Sequence, residues 1–504
     1  MTTNLTADVP PSSRPKPTVH LETFGCQMNE YDSELVKRLL TNDGFEFVTE
    51  RDRADVVLMN TCAIREHAHE RVYGQLDELR AIKKRRGLVV GVLGCMAQNL
   101  KAELLNEAPI VDVLAGPDGY RHLPSLLSAA LEQGATLPRA QAQAVDLSEE
   151  ETYDDILPVR EPGVNAWIAI MRGCDNFCTF CVVPYTRGRE RSRDPEGIIR
   201  EARLLAQQGY RQVSLLGQNV NSYRYGDWDF ARLIRAVADV PGIERVRFTS
   251  PHPKDFPPAL LDAIATHPHI CKHIHLPLQS GNDEVLDRMG RSYTAAEFVA
   301  LVERIRAMHP DIALTTDVIC GFPGETDEQY RDTYRLIERL RFHAAYIFKY
   351  SERKNTIAAR KFPDDVPEAV KGDRVARLVA MQKNIALSLN QTRIGQTVQV
   401  MVEGESKRSS EDNRQWMGKA DDSLTVIWPR YEGDGIEVGR LVDIRIDAAT
   451  VTSLFGVPAP STGAEVSLSR SARHDHSVES DDVLPVSMSA TPSGSLLSIL
   501  PARR

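Results

Sequence analysis

Three of the chain's eight cysteines, Cys174, Cys178 and Cys181, fall in one short stretch, R-G-C-D-N-F-C-T-F-C-V-V-P, at spacing C-x3-C-x2-C. Thiolates are soft donors that suit iron–sulfur clusters, Cu(I) and zinc. Structural zinc closes its coordination with four ligands, usually as two C-x2-C or C-x-x-H pairs. This stretch has a single C-x2-C, and no partner pair follows it. Three thiolates on a four-iron cluster leave one iron open, and an open position is where a metal site does chemistry. The spacing points to such a site.

The elements before it repeat one placement. Segments 18–24, 55–60 and 88–93 read as strands, and they run into Gly25-Cys26, Thr61-Cys62 and Gly94-Cys95. Helical patterns follow at 31–41, with Asn29 as its cap and Gly44 past its end, and at 65–86. Strands alternating with helices imply a parallel sheet. In an open α/β sheet the ligand crevice lies at the strands' carboxyl ends. Cys26, Cys62 and Cys95, remote in sequence, should therefore meet in space. Free cysteines are often just small buried groups, but that does not explain one location reached three times.

The C-x3-C-x2-C loop, with aromatic Phe180 before its last Cys, resembles the radical S-adenosylmethionine (SAM) superfamily. The resemblance implies a [4Fe–4S] cluster whose open iron binds SAM, with Phe180 beside the cofactor, and reductive cleavage to a 5′-deoxyadenosyl radical. The wording T-F-G-C-Q-M-N-E-Y-D-S (23–33), N-T-C-A-I-R-E (60–66) and G-C-M-A-Q (94–98) is similar to the methylthiotransferases, and among them to the MiaB-type tRNA enzymes. That likeness implies an auxiliary [4Fe–4S] cluster on Cys26, Cys62 and Cys95 that carries the sulfur delivered to substrate. It also implies N6-isopentenyl-adenosine at tRNA position 37 as substrate, converted to its 2-methylthio derivative with two SAM. The C2–H bond has no useful acidity, so a radical rather than a base must remove the hydrogen, and no side chain is assigned as acid or base. Sister enzymes act on a ribosomal-protein aspartate or on threonylcarbamoyl-adenosine, and the cysteines alone do not separate them. A non-catalytic iron–sulfur RNA sensor is the reading from another class, and an open iron shaped for SAM argues against it.

From residue 164 strand and helix alternate again, with strands at 167–171, 212–217, 245–249, 273–278, 312–319 and 344–350 and helices such as 195–208 and 327–340. Six units fit the open barrel of the superfamily better than a closed eight-stranded one, and catalytic groups on such barrels lie at strand carboxyl ends. L-L-G-Q-N-V-N-S-Y (215–223), H-L-P-L-Q-S-G (275–281) and G-F-P-G-E-T (321–326) match the family. Gln218 and Gln279, polar groups after apolar strands, are candidates for SAM or base contacts; loop capping is the equal alternative. His252, His273 and His275 read as locally satisfied, and Cys271 and Cys320 as ordinary buried thiols. Arg187, Arg189, Arg191 and Arg193 alternate, so an extended segment would present all four on one face, either to phosphate or SAM carboxylate or to ion-pair partners. One departure stands out: the family often reads Y-S-x-R-x-G-T-P where this chain has Y-S-E-R-K-N-T-I (350–357), so the glycine is replaced by Asn355, a residue that can adopt the left-handed conformation, and the turn lacks its proline.

A helix at 366–391 precedes short strands at 397–403, 424–428 and 441–446, a small all-β unit resembling the RNA-binding TRAM module, with Lys407, Arg408, Arg414 and Lys419 between its strands as phosphate contacts. The expected fold class is α/β, in the order disordered tail (1–16), N-terminal open parallel α/β domain (17–135), acidic solvated linker (136–163), partial (βα)6 barrel (164–392), all-β TRAM domain (393–459) and disordered tail (460–504). Eight cysteines among 504 residues are no disulfide framework. No run of about 18 apolar residues suggests a membrane span. The polar, Pro-rich start has no signal-peptide core, which predicts a cytoplasmic location. A net charge of −9 argues against non-specific coating of nucleic acid. The partners expected are the tRNA anticodon loop and an electron donor such as a flavodoxin or ferredoxin, with the chain itself a monomer.

Overall fold

The computed structural model describes residues 16–63, 66–133 and 143–460. The expected disordered tails lie outside them, apart from Lys16 and Pro460. The N-terminal unit is a wholly parallel sheet in the order Glu46–Phe47, Thr18–Phe24, Val56–Thr61, Val89–Gly94, Val113–Ala115, Gln143–Ala144. Val56–Thr61 and Val89–Gly94 are buried at every residue, as parallel strands covered on both faces are. Val56 and Leu58 pack on one face with Leu35, Leu40 and Leu127, while Val57 and Met59 pack on the other with Leu76, Leu79 and Leu104.

Three strands of this sheet are only two or three residues long. They carry no readable period, and pairing with a neighbour alone makes them strands. One of them lies in the segment expected to be a solvated linker, and that expectation is corrected. Gln143–Ala144 pairs with Leu114 and Ala115. Tyr153 is fully buried and its hydroxyl donates to Pro117 O at 3.0 Å. The acidic residues there are held by arginines, Asp154 by Arg193 at 2.5 Å and Asp155 by Arg121 at 2.5 Å. The first helix also starts earlier than expected, at Gln27, with Cys26 as the capping residue. Asn29 is the third helical residue, and its Oδ1 accepts from Cys26 N at 3.3 Å to close a capping box. It is buried in the first turn, where Nδ2 donates to Asn60 Oδ1 at 3.0 Å.

Six parallel strands then follow in chain order: Asn165–Ala169, Gln212–Leu216, Arg245–Phe248, His273–His275, Ala313–Cys320 and Ala344–Lys349. They form two three-stranded sheets linked by the Val246–Ile270 bridge. Among the described residues no pairing joins the first strand to the last, so the barrel is open. Val213, Leu215, Val246, Ile274, Leu314 and Val318 belong to the large apolar core beneath the helices. Several of their alternates are polar and bond to one another, as Gln212 to Asn165 at 3.1 Å and His275 to Thr315 at 2.9 Å.

Glu368–Gln391 leads to a closed five-stranded barrel of Thr397–Glu405, Gln415–Ala420, Thr425–Pro429, Ser453–Pro458 and Leu441–Ala449, filled by Val400, Trp416, Trp428, Ile444 and Leu454. Closure leaves no sheet edge exposed. It docks on the barrel through Arg245 and Arg247, whose guanidinium groups donate to the carbonyls of Gln399, Lys419, Ala420 and Asp421 at 2.6–2.9 Å.

Candidate active site

The cysteine loop leaves the first barrel strand through Met171–Arg172, which pairs with Arg191–Ser192. Gly173 makes the return possible: φ is +81°, and a Cβ there would sit 1.9 Å from Arg189 O. The loop is fastened across the barrel. Thr179 N donates to Met289 O at 2.8 Å, Thr179 Oγ1 to Arg288 O at 2.8 Å, and Ala358 N to Thr179 O at 2.7 Å. Burial, with a smaller contribution from Cys178 beside them, pushes Cys174 up to about 11 and Cys181 up to about 12. The Arg291 guanidinium donates to Cys178 Sγ at 3.3 Å. Nothing in its local sequence, R-M-G-R-S, marks Arg291; only the fold brings it across.

Phe180 is half-buried and wedges against Val285, Met289, Phe322, Tyr350 and Ala358. Gln279 holds a left-handed φ of +68°, its backbone clamped between Asp317 O and Ile319 N, and its Oε1 is buried without a partner. Gln218 Oε1 is likewise buried and unpartnered. Its neighbour Asn219 donates to Glu190, which accepts from Asp175 N in the cysteine loop at 3.3 Å. The buried Oε1 atoms of Gln218 and Gln279, following two different barrel strands, are acceptors that a polar ligand would complete. The histidines are satisfied locally: His252 Nδ1 accepts from Lys254 N at 3.3 Å, and His275 faces Asp317 at 3.2 Å. Cys271 and Cys320 are buried thiols, as expected.

The other triplet is assembled by register. Phe24 pairs with Thr61, and Thr61 with Gly94, so the three strands end in line. Cys26 and Cys62 lie within hydrogen-bond reach, and that bond lowers Cys26 to about 6 against the opposing effect of burial. Burial raises Cys95, and the Arg187 guanidinium opposes it. The glycines before Cys26 and Cys95 are required. A Cβ on Gly25 would come 2.4 Å from Asn29 Oδ1, and one on Gly94 (φ +85°) 2.4 Å from Asn60 Oδ1. Val182, next to Cys181, packs on Cys95 and Ala63. The two triplets thus stand on either side of one apolar contact. Among the described residues no three His, Cys, Asp or Glu side chains close around a single ion. A four-iron cluster is wider than an ion, and three soft donors at each place fit it.

The arginine row does not form one face. Arg187 bonds Asp32 at 2.7 Å, Arg191 takes both oxygens of Asp118 at 3.0 Å, and Arg193 bonds Asp154, Glu201 and Tyr31. All three are buried; Arg189 alone is exposed, at 68%, stacked over Phe177. The segment is not extended throughout: Val183–Arg187 is helical and the chain turns at Gly188 (φ +72°). Asn355 does take a left-handed φ, +72°, and its side chain bonds Asn99 of the N-terminal unit. Lys407, Arg408 and Arg414 are exposed on the C-terminal barrel. Lys419 instead folds back to Thr425 Oγ1 at 2.6 Å.

Comparison with known proteins gives these parts their relatives. Residues 168–337 match the radical SAM superfamily, 18–116 the uncharacterized protein family UPF0004, and 391–459 the TRAM domain. The chain is 45% identical over 448 residues to the tRNA-2-methylthio-N(6)-dimethylallyladenosine synthase of Porphyromonas gingivalis, covering 87% of this chain and 94% of that one. It belongs to that synthase family. The Chloroherpeton thalassium synthase is 44% identical over 444 residues, with 88% and 96% covered. Membership makes the chain a radical SAM enzyme of the methylthiotransferase type, using SAM and [4Fe–4S] clusters. A solved radical SAM methyltransferase from Kitasatospora setae, with cobalamin and a [4Fe–4S] cluster bound, shares the fold at TM-score 0.54 and 16% identity, covering 68% of this chain and 77% of that one. Among the described residues no helix is long and apolar enough to cross a membrane.

Proposed function

We propose that this chain methylthiolates carbon 2 of N6-isopentenyl-adenosine at position 37 of tRNA, with Cys174, Cys178 and Cys181 holding the SAM-cleaving cluster and Cys26, Cys62 and Cys95 the auxiliary one. The observation that supports the reading is the contact of Val182, the residue after Cys181, with Cys95. Bound there, a reduced four-iron cluster supplies the electron for SAM cleavage and the auxiliary cluster supplies the sulfur. The chain's own task is position and shielding. Arg291 steadies Cys178, Phe180 wedges the loop, and the free Oε1 atoms of Gln218 and Gln279 accept from SAM or the base. An unpaired loop base can be splayed into such a site without breaking a duplex. Lys407, Arg408 and Arg414 contact tRNA phosphates.

The reading includes the domain limits 17–135, 164–392 and 393–459, a monomer in the cytoplasm, and a flavodoxin- or ferredoxin-type electron donor. Its test is nucleoside mass spectrometry of total tRNA from cells lacking the gene. The methylthio nucleoside disappears and isopentenyl-adenosine accumulates; an unchanged profile overturns the substrate.

A further inference from the structure

Buried charges beside the auxiliary triplet share their partners unequally. Arg172 and Arg187, 1% and 3% exposed, both bond Asp32, which is fully buried. Asp118 has both oxygens taken by Arg191. Asp32 is thus shared by two guanidinium groups, and Arg187 has no carboxylate of its own. The groups that act most strongly on Arg187 are Asp32, Cys95, Tyr120 and Cys26. Nη1 of Arg187 is buried with no acceptor. A buried charge without compensation is costly, and a fold retains one where an anion completes it. The candidates are the sulfurs of Cys95 and Cys26 and the group they hold.

We propose that Arg187 is the counter-cation of the auxiliary cluster, its free Nη1 edge turned to the sulfur of that site and its charge setting the cluster's reduction potential. The inference rests on the assignment of Cys26, Cys62 and Cys95 to a cluster. Three thiolates on a four-iron cluster make a net anion, and charge and hydrogen bonds at the sulfurs govern its potential. Arg187 also ends the helix that starts just after Cys181. The same short segment therefore seats one cluster loop and neutralises the other cluster.

The test uses the full chain with Cys174→Ala, Cys178→Ala and Cys181→Ala, so that only the auxiliary cluster assembles on anaerobic reconstitution. Its potential is read by electron paramagnetic resonance during redox titration. Adding Arg187→Gln lowers the reduced-to-oxidised ratio at fixed potential at least tenfold, about 59 mV for one electron. Arg187→Lys restores most of the shift, and Arg189→Gln, at an exposed site, causes none. Loss of the cluster from Arg187→Gln but not from Arg187→Lys also supports the charge role. An unmoved potential in Arg187→Gln, or loss of the cluster from both Arg187 variants, overturns it. A parent that takes up no iron overturns the cluster assignment itself, and the inference with it.

Discussion

The two cysteine triplets differ in how they are made. Cys174, Cys178 and Cys181 lie on one loop of the barrel, so chain connectivity alone keeps them near one another. Cys26, Cys62 and Cys95 come from three strands and meet only because Phe24, Thr61 and Gly94 end in register. The first set tolerates shifts elsewhere, since its spacing is local. The second depends on sheet register, on two glycines and on the packing of Asn29 against Asn60. A local motif specifies a ligand set by itself, whereas an assembled one needs the whole domain to hold it.

The sharpest break is to remove one ligand from each set. Cys178→Ala abolishes both 5′-deoxyadenosine formation and methylthio product, with iron per chain falling by about half. Cys62→Ala abolishes the methylthio product while SAM cleavage persists. If Cys62→Ala also ends SAM cleavage, the two sites are not separable.

Next is the joint between them. Asp32→Asn leaves Arg172 and Arg187 buried without their carboxylate, which costs about 3–5 kcal/mol. A denaturant titration reads it as a lower midpoint, and an unchanged midpoint would mean the ion pairs contribute nothing. Gly94→Ala puts a Cβ into Asn60 and Thr61 at a left-handed φ, for about 1–3 kcal/mol. Iron at the auxiliary triplet should fall while SAM cleavage holds, because the loop triplet does not depend on that register. The smallest effect belongs to Arg189→Ala. Its pair with Asp175 is exposed, so stability should move by less than about 1 kcal/mol. A larger change in melting temperature would mean that Arg189 shares the role of its buried neighbours.

Much of this was legible in the chain. The helix Asp327–Leu340 lies where its pattern predicts, and so does the strand Thr18–Phe24. Long periodic segments announce themselves because their apolar face recurs many times. Gln143–Ala144 is too short to show a period, and the acidic stretch after it was read as solvated because its partners, Arg121 and Arg193, lie far from it in sequence. Asn29 lies at the third helical position, where it reaches back to Cys26 N and also bridges to Asn60.

The sequence by itself determined which atoms are available for chemistry: six thiols in two sets, each at a strand end or in one loop. Residue type and short-range spacing are local properties, and they survive in the one-dimensional record. Only the tertiary structure decided that Val182 packs on Cys95, that Arg291 reaches Cys178, and that three of four alternating arginines are buried on carboxylates rather than offered to solvent. Those outcomes turn on partners separated by tens to hundreds of residues. A charge has no fixed role until its surroundings set the cost of leaving it unpaired.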